Sequence, residues 1–190
     1  MKNKKTFFII ALVFVLLIGG ATVLYRQLGK NITAEQLTTQ NTNQSDESAA
    51  GETEQKIKAP DFTVYDADGN EVHLADYIGK PIVLNFWASW CGPCQSEMPD
   101  FHEKYLELGD DVHFLMINMT DGARETVESA SAFIAKNGYA FPVFYDTKSD
   151  AASIYGAYSL PTTFFIDADG YAIAQATGAI DAETLQRGLD

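Results

Sequence analysis

Two cysteines stand three positions apart, Cys91 and Cys94, and they are the only cysteines in the 190 residues. Two thiols at this spacing can close a disulfide and open it again. Gly92 and Pro93 between them fit a tight turn that enters a helix. Because the sequence has no other cysteine, the pair must react with each other or with a sulfur of a partner. The spacing therefore predicts thiol–disulfide redox chemistry.

The position of each thiol predicts its part in that chemistry. The thiolate is the reactive form, and a free cysteine near neutral pH is mostly protonated. We expect Cys91 at the start of a helix, where unpaired backbone N–H groups and the helix dipole favour an anion. Cys94 lies one turn further in and is expected to be covered. Cys91 is therefore predicted to be the attacking thiol and Cys94 the resolving one.

A structural disulfide and half of a zinc site are the alternatives. A structural disulfide seldom closes so small a loop, and a zinc site would need two further ligands. The three histidines, His73, His102 and His113, are scattered along the sequence. We therefore expect no metal, and no cofactor beyond the Cys91–Cys94 disulfide.

The elements that must position the pair follow from the apolar runs around it. A buried strand over 81–87 leads into a helix over 91–108, and a second buried strand over 112–119 precedes a helix over 124–136. The other predicted elements are a hairpin over 62–65 and 71–74, a strand over 141–145, a helix over 151–155, a hairpin over 162–166 and 171–177, and a last helix from Ala182, capped by Asp181. This order predicts an α/β fold, with a central mixed sheet and helices on its faces.

The N-terminal 28 residues are predicted to form a cytoplasmic stub and a transmembrane signal-anchor. Three lysines lie among the first five residues, and an uncharged apolar run over 7–24 follows, which is about the length that spans a membrane. The lysines place this end in the cytoplasm. A cleaved signal peptide is the alternative, because residues 19–21 are small. In both cases the cysteines face the extracytoplasmic side, where disulfides persist.

The rest of the chain divides into a polar segment and a folded domain. Residues 29–58 are predicted to be a flexible tether, because they lack aromatic residues and are rich in Thr, Gln, Asn, Ser and Glu. Residues 59–190 are predicted to form the redox domain. After the first 30 residues the chain has 8 basic and 26 acidic side chains, a net charge of −18. Such a surface repels nucleic acid, so no nucleic-acid partner is expected.

The motifs around the cysteines resemble a known family. Residues 83–94 read VLNFWASWCGPC, and LPTTF follows at 160–164. Together they resemble the thioredoxin superfamily and, more narrowly, the membrane-anchored, extracytoplasmic thiol-disulfide oxidoreductases of the TlpA/ResA type. The resemblance covers most of 59–190. It implies a thioredoxin-like fold with an N-terminal β-hairpin and a central helical insertion over 120–139, and a monomeric head domain.

The resemblance also implies roles for particular residues. Cys91 and Cys94 correspond to the redox pair. Pro161 corresponds to the family's cis-proline, which faces the dithiol and helps to bind an extended substrate backbone. The other residues expected to bind substrate are Trp90, Gly92, Pro93 and Leu160.

Glu97 is the candidate proton acceptor. It falls three residues after Cys94 on the same predicted helix and so faces back toward the pair. Proteins of the TlpA/ResA type have a glutamate here that can assist proton transfer. Thioredoxin itself keeps a buried aspartate in the preceding strand, where this chain has Asn85, and an amide cannot accept a proton at neutral pH. The alternative is that Glu97 is a solvated helix residue.

The resulting hypothesis is an enzyme that reduces disulfides in envelope or secreted proteins, such as apocytochrome c, with electrons from a transmembrane thiol carrier. An oxidase or isomerase is the first alternative; Cys-Gly-Pro-Cys argues against it, since thioredoxin has a low potential of about −270 mV. A metal-delivery module is the second, although the segment before Pro161 lacks the histidine of copper carriers. A peroxidase is disfavoured, because Cys91 follows Trp90 and not the Thr/Ser-rich turn of such active sites, and no peroxide-binding arginine is evident nearby.

Overall fold

The structure, a computed structural model, describes residues 37–39 and 56–190. The predicted transmembrane segment and most of the predicted tether lie outside these residues. Within the two described ranges, no helix is both long enough and apolar enough to cross a membrane.

A nine-stranded mixed sheet forms the centre of the described domain. Its strands are β1 (Leu37–Thr39), β2 (Ile57–Lys58), β3 (Thr63–Tyr65), β4 (Glu71–His73), β5 (Ile82–Trp87), β6 (His113–Asn118), β7 (Val143–Tyr145), β8 (Thr162–Ile166) and β9 (Tyr171–Thr177). Their order across the sheet is β1-β9-β8-β5-β6-β7-β3-β4, and β2 also pairs with β9. Strands β5, β6 and β7 are parallel, whereas β8 is antiparallel to both β5 and β9.

In the described residues, three α-helices and one 3-10 turn connect these strands, and a fourth α-helix follows β9. The helices are α1 (Gly92–Leu108), α2 (Val127–Asn137), α3 (Asp150–Tyr155) and α4 (Ala182–Arg187), and the 3-10 turn is Leu74–Tyr77. Helix α1 follows the buried strand β5 directly and carries the second cysteine in its first turn. Helix α2 ends at Gly138, which adopts the left-handed conformation with φ of 70° that favours glycine.

Apolar side chains pack on both faces of the sheet. Strand β5 buries all six of its side chains, as expected for a central strand covered on both sides. One cluster, under α1 and α2, contains Trp87, Met98, Phe101, Phe114 and Phe141. The other, under α3 and the β3–β4 hairpin, contains Phe62, Phe86, Leu115, Phe144 and Phe164. The sheet thus fixes the end of β5, where the cysteines begin.

The predicted order of elements from 59 onward agrees with the structure. Strands β8 and β9 have the predicted bounds, and the side chain of Asp181 caps α4 as expected, accepting from the backbone N–H of Thr184 over 2.8 Å. Helix α2 begins at Val127 and not at Arg124, which corrects the prediction. The reason is a turn before it, in which Oδ1 of Asp121 accepts from three successive backbone N–H groups, those of residues 123–125.

Two short strands lie inside the range 29–58 that was predicted to be a tether. Strand β1 pairs antiparallel with residues 174–176 of β9, and β2 pairs with residues 171–172 of the same strand. For these five residues the structure corrects the expectation of an unpaired segment. The physical reason is that an outer strand presents unpaired backbone groups, and these can pair with the backbone of a short segment of almost any composition.

Candidate active site

Cys91 and Cys94 form a disulfide at the start of helix α1. Cys91 is the N-cap residue, and its Sγ accepts a hydrogen bond from the backbone N–H of Cys94 over 3.2 Å. Its sulfur therefore lies at the positive end of the helix, where a thiolate is stabilised. Cys91 is 5% exposed and Cys94 is fully buried. A partner sulfur can thus approach Cys91 first, as the sequence predicted.

An open groove runs beside the disulfide. It encloses about 550 Å³ and is lined by Trp90, Cys91, Gly92, Pro93, Met119, Asp121, Arg124, Ala157, Tyr158 and Leu160. Four of the five residues predicted to bind substrate are in this lining. The fifth, Pro161, is buried directly after Leu160, and the peptide bond between these two residues is cis.

Aromatic side chains stand exposed on two sides of the groove. Trp90 is 41% exposed and Tyr158 is 84% exposed. Tyr158 comes from the segment between α3 and β8, whereas Trp90 directly precedes the disulfide. Exposed aromatic residues beside a reactive group are typical of a surface that binds another protein.

Glu97 is buried, which corrects the alternative that it is a solvated helix residue. It is 2% exposed, and its Oε1 accepts from Nδ2 of Asn85 over 2.9 Å. Its Oε2 accepts from the backbone N–H of Ile180 over 3.0 Å. Burial raises the pKa of Glu97 to about 7, and the two hydrogen bonds oppose that rise. Glu97 is therefore a carboxyl group that changes its charge near neutral pH.

Helix α1 explains why Glu97 points inward. Its buried side chains, Cys94, Glu97, Met98 and Phe101, follow the spacing i, i+3, i+4, i+7 of a helix face that packs on a core. Glu97 occupies a position of this face that is usually apolar. Asn85, on β5 below, offers it a donor and also donates to Oγ1 of Thr163 over 2.9 Å. The carboxyl group thus lies one helical turn from Cys94, out of contact with solvent.

A second buried carboxylate, Glu125, was not found from the sequence. It is fully buried. Its Oε1 accepts from the backbone N–H of Ser89 over 2.9 Å and from Nδ2 of Asn118 over 2.8 Å. Its Oε2 accepts from the hydroxyl of Ser89 over 2.7 Å. Glu125 therefore fastens the loop that precedes the cysteines to the segment that follows β6.

Arg124 was also missed, and the structure places it in the same groove lining as Cys91. Its guanidinium carbon lies 3.5 Å from the centre of the Trp90 ring, and both residues line the groove. The two residues are 34 positions apart and belong to different loops, so no local pattern in the sequence connects them.

The three histidines lie away from the groove lining. His73 contacts Oγ1 of Thr63 in the β3–β4 hairpin, His102 packs edge-on against Tyr139, and His113 packs edge-on against Tyr77. In the described residues, no group of three or more His, Cys, Asp or Glu side chains is arranged to hold a metal ion.

Comparisons with known proteins place this arrangement in a family. Residues 56–174 match the sequence model of the AhpC/TSA family. The chain belongs to this family. Among AhpC/TSA proteins it is similar to the thiol-disulfide oxidoreductase ResA of Geobacillus thermodenitrificans, with 36% identity over 133 residues, which are 70% of this chain and 74% of that protein.

Solved structures of thiol-disulfide oxidoreductases share the fold. The DsbF homologue of Corynebacterium diphtheriae superposes with a TM-score of 0.67 at 26% identity, covering 84% of this chain and 94% of that one. StoA of Bacillus subtilis superposes with a TM-score of 0.60 at 26% identity, covering 69% and 97%. The predicted thioredoxin-like fold and the predicted enzyme class, a thiol-disulfide oxidoreductase, are both confirmed.

Proposed function

We propose that this thiol-disulfide oxidoreductase reduces disulfides of envelope or secreted proteins on the extracytoplasmic side of a membrane. The observation that carries the proposal is the Cys91–Cys94 disulfide at the positive end of α1, with Cys91 at the groove and Cys94 buried. This arrangement stabilises the thiolate of Cys91, the form that attacks a disulfide, and the Cys-Gly-Pro-Cys sequence shared with thioredoxin supports the direction of reduction.

Reduction of a substrate takes two exchange steps. In the reduced protein, the thiolate of Cys91 attacks one sulfur of the substrate disulfide, and the other substrate sulfur leaves as a thiolate that takes up a proton. The thiol of Cys94 then loses its proton and attacks the Sγ of Cys91. The second substrate sulfur leaves, and the protein is left with the Cys91–Cys94 disulfide. Two electrons pass from protein to substrate, so a reductant must reduce Cys91–Cys94 again.

We assign Glu97 the part of proton acceptor for Cys94. It lies one turn along α1 from Cys94 and is buried, and its pKa of about 7 lets it take up and release a proton at neutral pH. Asn85 and the backbone N–H of Ile180 hold its two oxygens in place. The groove residues Trp90 and Leu160, with Pro161 behind them, are assigned to hold the substrate segment, as the family resemblance implies.

The location and the partners are part of the same proposal. The apolar run over 7–24 and the lysines before it support a single membrane-spanning anchor, with the redox domain outside the cytoplasm. Because the chain has only two cysteines, electrons must come from another molecule, and we assign this part to a transmembrane thiol carrier that brings them from the cytoplasm. Apocytochrome c is an example of the substrate class.

The reduction potential of the Cys91–Cys94 pair tests the direction of electron flow. The full-length protein, in detergent, is equilibrated with dithiothreitol or glutathione buffers, and the two redox forms are quantified by thiol alkylation. A reductase requires a potential near or below the value of about −270 mV for thioredoxin. A potential near the value of about −120 mV for DsbA would instead indicate an oxidase and would overturn the proposed direction.

A further inference from the structure

Arg124 stands at the groove and forms no ion pair with another of the described residues. The two ion pairs among the described residues are Lys56–Asp167 and Lys104–Glu107, and neither involves Arg124. The acidic residue that lines the groove with it, Asp121, uses its Oδ1 to accept the backbone N–H groups of residues 123–125. Asp121 therefore shapes the turn, and besides these hydrogen bonds the nearby charge of Arg124 also lowers the pKa of its carboxyl group. No carboxylate of the described residues lies within ion-pair distance of the guanidinium.

The geometry points to Arg124 as a specificity-determining residue: we propose that it binds a carboxylate side chain that the substrate protein carries beside its reacting cysteine. This inference rests on the proposed function, because it concerns the substrates of the same groove. The ligand class is an acidic peptide segment that contains a disulfide-bonded cysteine.

Stacking on Trp90 orients Arg124 for this task. With its guanidinium carbon 3.5 Å from the ring centre, the flat group covers the tryptophan face and keeps its N–H donors at its edges. These edges match the two oxygens of a carboxylate. Trp90 directly precedes Cys91, so a carboxylate bound there lies within a few residues of the attacked sulfur in an extended peptide, at about 3.3 Å per residue.

Glu125 keeps the arginine in place. As the next residue in the chain, it is buried and holds Ser89 and Asn118 through three hydrogen bonds. Ser89 lies directly before Trp90. These hydrogen bonds hold the backbone next to Trp90 against the backbone next to Arg124. Arg124 therefore loses little conformational freedom when it binds a carboxylate, and this strengthens binding.

The charge of the domain makes this arginine unusual. Residues 56–190 have 8 basic and 21 acidic side chains, a net charge of −13, and Arg124 is the basic residue of the groove lining. The surrounding field repels acidic partners in general. The domain therefore attracts a carboxylate only at the groove. It should prefer substrates with an acidic residue close to the reacting cysteine, and not acidic proteins in general.

Peptides of different charge test the inference. Three two-cysteine peptides, each closed by an internal disulfide, differ only in the residues two positions to either side of the cysteines, which are Glu, Gln or Lys. The reduced full-length protein reacts with each under excess dithiothreitol, with the uncatalysed rate subtracted. We expect kcat/KM to be about three- to tenfold higher for the Glu peptide than for the Lys peptide, through KM. Salt at 0.5 M should reduce the ratio.

Variants assign the preference to one side chain. Arg124→Ala should bring the ratio of Glu to Lys peptide close to one, and Arg124→Glu should invert it, a result that an unfolded protein cannot give. Lys58→Ala is the matched control: it removes the same charge, and Lys58 lies over Tyr171, at the end of the sheet opposite the disulfide. This variant should keep the wild-type ratio.

Four results overturn the inference or its basis. A wild-type ratio near one, or a ratio that Arg124→Glu leaves unchanged, overturns the role of Arg124 alone. Faster reduction of oxidised glutathione than of the Glu peptide would assign the arginine to a small thiol carboxylate and overturn the peptide as its ligand. If the protein reduced none of the three peptides, the proposed function itself would be overturned.

Discussion

The side-chain amide of Asn85 donates to Oε1 of Glu97 over 2.9 Å inside the domain. Asn85 stands where thioredoxin has a buried aspartate, and Glu97 is the carboxyl group that the sequence predicted to replace it. The hydrogen bond joins the two positions: the strand position carries an amide, and this amide supports a carboxyl group that enters from the helix.

Replacement of each cysteine should separate the two exchange steps. Cys91→Ser removes the attacking thiol, so we expect no measurable reduction of insulin disulfides. Cys94→Ser keeps the attack and removes the resolving thiol, so mixed disulfides with substrate should accumulate and appear on non-reducing gels. Ser96→Ala, an exposed change on the same helix, is the control and should keep its turnover. Turnover in Cys91→Ser would contradict the assigned order of attack.

Glu97 should make the oxidised protein less stable as the pH rises. Its pKa is about 7 in the folded state, against an ordinary value of 4.5, so between these values the folded state binds more protons than the unfolded state. The free energy of unfolding therefore falls with rising pH across this window. In Glu97→Gln this loss is absent. We expect the stability of the variant relative to wild type to improve by about 3 kcal/mol between pH 4 and pH 8.

Urea unfolding at pH 4, 6 and 8 measures this difference. Glu103→Gln is the matched control, because Glu103 is exposed on the same helix. Its stability relative to wild type should stay nearly constant. A constant difference for Glu97→Gln as well would show that Glu97 has the same pKa in the folded and unfolded states, and the rise attributed to burial would be wrong.

The rate of the exchange reaction should follow the charge of Glu97. As the pH rises through about 7, Glu97 loses its proton and becomes able to accept one from Cys94. The wild-type rate should therefore increase across this range, and Glu97→Gln should lose this inflection and about 10²-fold in rate at pH 8. Single-turnover reduction of a disulfide peptide, followed between pH 5.5 and pH 9, provides the profile. An unchanged inflection in the variant would assign it to a cysteine.

Glu125 should contribute to stability through its three hydrogen bonds. Glu125→Ala leaves the backbone N–H of Ser89 and the side-chain amide of Asn118 buried without their acceptor, at a cost of about 2–4 kcal/mol. Glu125→Gln keeps an acceptor oxygen for both donors, so it should cost less than half as much. Urea unfolding of the two variants at pH 7 gives the comparison. Equal losses would show that the charge, and not the acceptor, is what matters.

Most of the fold could be predicted from sequence patterns that involve only neighbouring residues. The cysteine spacing placed the start of α1, and the Asp181 cap placed the start of α4, because a cap, a turn and an apolar run each involve neighbours in sequence. The burial of Glu97 was also within reach. It lies on the same helical face as Met98 and Phe101, and this spacing predicts an inward side chain whatever its polarity.

Contacts between distant loops were beyond the sequence. Arg124 and Glu125 meet Trp90 and Ser89 only after β6 has paired with β5, and the turn that presents them has no periodicity to mark it. The two strands before residue 59 were missed for another reason. They are only three and two residues long, and their pairing uses backbone groups that every sequence has.

Strands β1 and β2 cover the outer edge of strand β9. Five of its seven residues, 171, 172 and 174–176, pair on their outer side with β1 or β2. An uncovered strand of this length is a template on which a second molecule can add a strand and begin to aggregate. In this protein, β1 and β2 of the same chain occupy that edge. The segment that the sequence presents as a spacer also closes the open flank of the sheet, and truncation before Lys58 should leave a domain that associates with itself.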